Sequence, residues 1–127
     1  MYDVNIPVSI GELIDKITIL QIKSKRISNE NQLVNIRREL QALEAARTSL
    51  RLVGADGMQA ELLEVNSQLW EVEDALRRAE SEDDFGPEFV TLARSVYKLN
   101  DIRFLIKKNL NKTFRSSLLE EKSYENF

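Results

Sequence analysis

Apolar residues recur at steps of three and four along four stretches of this chain, and polar runs separate the stretches. The first stripe is Ile10, Leu13, Ile14, Ile17, Leu20 and Ile27; the second is Leu33, Ile36, Leu40, Leu43 and Leu50. The third runs Met58, Leu62, Val65, Leu69, Val72 and Leu76, and the fourth Phe89, Leu92, Val96, Leu99, Ile106 and Leu110. This is the period of an amphipathic helix. It predicts an all-α fold, an antiparallel helical bundle of about four helices. Helices are expected over 9–27, 30–53, 57–80 and 87–112, in one domain, with 113–127 as a C-terminal tail.

Local signals mark the boundaries. Ser9 and Glu12 have the spacing of a capping box, and Val8 with Leu13 that of a hydrophobic staple. Ser28-Asn29-Glu30-Asn31 reads as a break, with Asn29 placed to cap the second helix. Gly54 and Asp56-Gly57 turn the chain into the third helix, and Gly86-Pro87 puts proline in the first turn of the fourth. The tail mixes Leu118, Leu119 and Tyr124 with charges. It is expected to fold back, with Tyr124 as apolar anchor and Lys122 paired with a carboxylate.

Three helices carry a second stripe that mixes apolar and charged residues. These are Asp15, Ile19, Ile22 and Arg26; Leu63, Asn66, Trp70, Glu73 and Arg77; and Val90, Arg94, Tyr97, Asp101 and Phe104. A solvated face would not hold Ile, Trp, Tyr and Phe in register. Either the stripes form a second seam or homo-oligomer interface with charges paired across it, or they line a polar pocket. In a pocket, Asp15, Glu73 and Asp101 would face Arg26, Arg94 and Arg103, since buried charge must be compensated. Arg103 lies in the fourth seam itself, either with its stem along apolar surface or as the anchor of a buried ion pair. The candidate binding residues are therefore Asp15, Arg26, Asn66, Trp70, Glu73, Arg94, Tyr97, Asp101 and Arg103.

The 127 residues include no histidine and no cysteine. That removes the commonest general base, the soft metal ligands, thiol nucleophiles and disulfides. No catalytic residue stands out, and no cofactor is expected. The net charge of −3 favours neither nucleic acid nor an acidic membrane. Charge is nonetheless segregated. Glu61 to Glu88 holds ten acidic and two basic residues, Arg94 to Arg115 seven basic and one acidic. Neighbouring helices of opposite charge favour pairing in a bundle. No apolar run approaches the roughly 20 residues of a membrane span, and a cytoplasmic location is expected.

Glu61-x-x-Glu64 and Glu71-x-x-Asp74 could each converge on a hard cation from one helix turn. They are similar to the carboxylate pairs of the magnesium-dependent all-helical nucleotide pyrophosphohydrolases, except that here both pairs share one helix. Ile14-Asp15, Ile17 and Arg26 are similar to the first helix of helical chorismate mutases, with the arginine out of register. A broader resemblance runs through Ser9-Ile10-Gly11-Glu12-Leu13-Ile14-Asp15-Lys16-Ile17-Thr18-Ile19-Leu20, then Asn66, Leu69, Trp70, Glu73 and Asp74. It continues in Leu92-Ala93-Arg94-Ser95-Val96-Tyr97, Asn100, Asp101 and Glu120-Glu121-Lys122-Ser123-Tyr124. This pattern resembles an uncharacterised bacterial domain-of-unknown-function family of small helical proteins. The resemblance implies no activity; it points to an accessory role in cell-surface polysaccharide synthesis. The expectation is an oligomeric or partner-binding module, with a homodimer favoured and a protein partner the other candidate. The alternative is an enzyme acting on a small anionic metabolite or nucleotide through its carboxylates and arginines, with magnesium.

Overall fold

Helices form where the stripes run: α1 Ile10–Arg26, α2 Glu30–Leu50, α3 Asp56–Ser81 and α4 Pro87–Thr113. They are seen in a computed structural model that describes residues 2–125. α1 starts at Ser9, whose Oγ accepts from the Glu12 N–H at 3.1 Å. Replacing Ser9 with alanine should cost about 0.5–2 kcal/mol, because an orphan amide loses its acceptor. A melting temperature that does not move would refute this role. The Glu12 carboxylate meets Lys107 of α4 at 2.8 Å, a long-range contact that the capping spacing did not foretell. Asn29 caps α2 by accepting from the Gln32 N–H at 3.0 Å. α2 stops at Leu50 rather than 53, because Arg51 turns left-handed (φ 53°) and Gly54 follows at φ 87°.

α1 is the hub. It packs on each of the other three helices and α3 packs on α4, while α2 reaches the start of α3 through the Arg47–Asp56 ion pair at 2.8 Å. Leu13, Ile14 and Ile17 join Ala55, Leu62 and Leu110 in the main core, while Leu20 meets Leu33 and Ile36 of α2 in a second cluster. α1 is thus buried on several faces, whereas α2 buries only Leu33 and Ile36.

α3 and α4 have 26 and 27 residues against 17 in α1. At 1.5 Å per residue the hairpin runs to roughly 40 Å and α1 to roughly 25 Å. Arg26, the last residue of α1, bonds Glu71, so the rest of the hairpin projects beyond α1. At its tip Phe85 and Phe89 meet edge-on, with centroids 5.3 Å apart. Among the described residues no helix is long and apolar enough to cross a membrane.

Candidate functional site, a buried charge cluster between two grooves

The site exists because α1 approaches α4 closely at its first turn. Gly11 has no side chain there, and its N–H donates to Asn111 Oδ1 at 2.6 Å. The approach carries Asp15, one turn later, into full burial between α3 and α4. Asp15 Oδ1 accepts from Arg103 Nε at 2.8 Å and Asn66 Nδ2 at 2.9 Å; Oδ2 accepts from Arg103 Nη2 at 2.5 Å. This is the forked carboxylate–guanidinium geometry that combines charge with direction. Asn66 Nδ2 also donates to Thr18 Oγ1 at 2.9 Å, and the Thr18 hydroxyl donates to the Asp15 carbonyl at 2.7 Å. The Asp15 bond holds the Arg103 pKa above its ordinary value, against the opposing pull of burial.

One turn along α4, the buried Lys107 ammonium donates to Glu12 Oε2 at 2.8 Å and to Glu120 Oε2 at 2.7 Å. It ties α1, α4 and the tail together. Burial disfavours the charged amine, but the two carboxylates outweigh it and leave the Lys107 pKa raised. A raised lysine pKa stabilises the fold in full at neutral pH. That contribution is lost only as pH climbs past the lysine range.

Two grooves flank this cluster, and Arg103 lines both. The first lies between α1 and α3, with Ile19, Ile22, Leu69 and Trp70 as apolar walls and Glu73, Asp74 and Arg77 among its polar residues. Its volume is about 310 Å³. The second lies between α4 and the tail and is lined by Tyr97, Asn100, Asp101, Phe104 and residues 120–125.

The second stripes of α1 and α3 therefore meet: Asp15 bonds Asn66 and Arg103, and Trp70 and Glu73 line the first groove with Arg103. The α4 stripe turns instead toward the tail. Asp101 pairs with Lys122 at 2.5 Å rather than with an arginine. Arg26 is taken by Glu71, outside the stripe. Glu73 and Arg94 are exposed to solvent, and Tyr97 stands at the edge of the tail groove. Glu61 and Glu64 lie on an exposed face, with Glu64 accepting from Gln68 at 2.9 Å. Glu71 is engaged by Arg26 while Asp74 lines the first groove. Among the described residues no three ligating side chains gather as a metal site would need.

Lys107 and Asn111 joined the cluster without being singled out in the sequence, where Glu12 reads only as a capping residue and Glu120 only as part of the C-terminal pattern. A signal for one of them was present. Lys107 lies one helical turn after the seam residue Arg103, so it shares the inward side of α4. Chemically the cluster is a clamp, because each oxygen of Asp15 is engaged and both Lys107 acids are bound.

A protein-family model described as a family of unknown function, DUF6165, matches residues 4–127. The chain belongs to this family. The span of DUF6165 covers all four helices, every residue of the Asp15 cluster, and the tail that closes on Lys107. No curated protein and no solved structure matches the chain.

Proposed function

We propose that this protein is a self-associating helical module whose α3–α4 hairpin pairs with the hairpin of a second copy. One observation carries the reading. Between Ser67 and Ile106 no residue is buried, although the stretch contains Leu69, Trp70, Val72, Leu76, Phe89, Leu92, Val96 and Leu99. A two-helix arm has one seam, so each apolar side chain is covered from one side only. A second hairpin laid across it makes a four-helix arrangement and covers the other side. Val72, Ala75 and Ala79 share a face of α3 that carries no charge, and Ser95, Leu99 and Ile102 share one on α4. Ile102 is 47% exposed. A two-fold pair of identical hairpins is the simplest closed solution, and surfaces of this kind mark interfaces.

The enzyme alternative finds less support. Its best internal acid, Asp15, has both oxygens engaged and is held away from solvent. Set beside cell-surface polysaccharide synthesis, as the resemblance implies, such a module serves assembly rather than turnover.

Light scattering at micromolar concentration should show a dimer. Ile102→Glu should shift it to monomer with helix content unchanged, since the side chain is already partly in solvent. A monomeric wild-type protein would end this reading.

A further inference from the structure

The tail is held on α4 by charge rather than by burial. Glu120 accepts from Lys107 at 2.7 Å, and Lys122 donates to Asp101 at 2.5 Å. The Lys122 ammonium also lies 5.4 Å from the Phe104 ring centroid and 5.3 Å from that of Tyr124. The apolar side chains stay outside. Leu119 is 63% and Tyr124 79% exposed, so Tyr124 is not the buried anchor that the sequence led us to expect. The tail bridges its groove without filling it, and about 1240 Å³ remains open along α4.

The contact pattern is self-complementary. α4 presents a negative charge at Asp101 and a positive one at Lys107; the tail presents the opposite signs at Lys122 and Glu120. Every copy of the chain therefore carries both halves of the same clasp. The tail leaves α4 through Arg115, which is left-handed at φ 53°, and through Ser116, whose N–H donates to the Asn111 carbonyl at 2.8 Å. Beyond that point its described bonds to α4 are made by side chains.

We propose that this clasp is exchanged between copies. The tail of one protomer takes its place on Asp101 and Lys107 of a second copy, and that copy's surface covers Leu118 and Leu119. The exchange rests on the hairpin-paired dimer, because pairing supplies the effective concentration that lets a partner's tail compete with the protomer's own. Exchange of an identical segment makes the same bonds in both arrangements, so little free energy opposes it.

The test uses two full-length chains, one with Asp101→Lys and the other with Lys122→Glu. In either chain alone the clasp meets like charge, both within a protomer and between identical copies. Only unlike chains that trade tails restore opposite charges in both clasps. Native mass spectrometry of an equal mixture should show the ratio of mixed dimer to the two homodimers together rising about fivefold, from the statistical 1:1 to about 5:1. The enrichment should vanish when residues 117–127 are removed from both chains. A statistical mixture of dimers would overturn the exchange and leave hairpin pairing standing. A mixture and wild-type protein that are both monomeric would overturn both. Circular dichroism of each variant confirms folding, as Asp101 is an exposed residue.

Discussion

Arg103→Met should lower stability by roughly 3–5 kcal/mol, because it leaves a buried carboxylate with Asn66 as its remaining side-chain hydrogen-bond donor. In a chain of this size the melting temperature should fall by roughly 10–20 °C. Urea unfolding of the variant gives the number directly. The companion experiment adds Asp15→Leu to the same chain. Replacing both charges with apolar groups removes the stranded carboxylate, and most of the lost stability should return. The two substitutions must then be strongly non-additive. A loss under about 1 kcal/mol for Arg103→Met alone would mean that water reaches Asp15 and screens it.

Gly11→Ala is expected to destabilise, although alanine is the better helix former by about 1 kcal/mol. A Cβ at position 11 would stand 2.6 Å from the Lys107 carbonyl oxygen and 3.0 Å from Asn111 Oδ1. The nearer obstacle is backbone and cannot rotate away. α1 must therefore lift from α4, which loosens the Gly11–Asn111 bond and the Asp15 fork together. Overpacking at about 1–3 kcal/mol plus the weakened polar contacts should leave a net loss of roughly 2 kcal/mol. Gly57 is the control. It is also helical, but an added Cβ there meets nothing within 4 Å, so Gly57→Ala should be neutral or stabilising. Equal effects at the two positions would refute the close-approach account.

Helix number, order and most boundaries were legible because they follow from local rules: spacing of apolar residues, caps at Ser9 and Asn29, proline at 87. Asp15, Asn66 and Arg103 were legible because each interrupts an apolar setting with a polar group. What could not be read was which stripe faces which. A period tells the side of a helix and says nothing of its neighbour, so Asp101 was expected beside an arginine and instead takes Lys122. Glu12 was legible only as a capping residue, since its real partner lies 95 positions away. The left-handed turn at Arg51 carries no glycine to announce it, which is why α2 ends earlier than its composition suggests.

The joining of α1 to the far end of α4 also governs how the chain reaches its native state. Gly11 bonds Asn111 and Ile10 bonds Ser116, at sequence separations of 100 and 106. Helical proteins usually fold fast because their contacts are local, and these are among the least local a chain of this length can make. The α3–α4 hairpin closes over a short turn and has no such obstacle. During synthesis at roughly 5–20 residues per second, α1 waits about 5–20 s before Arg103 and Lys107 exist to neutralise it. Through that interval Asp15 and Glu12 lack their cationic partners, so docking of α1 on α4 is expected only after α4 has been made.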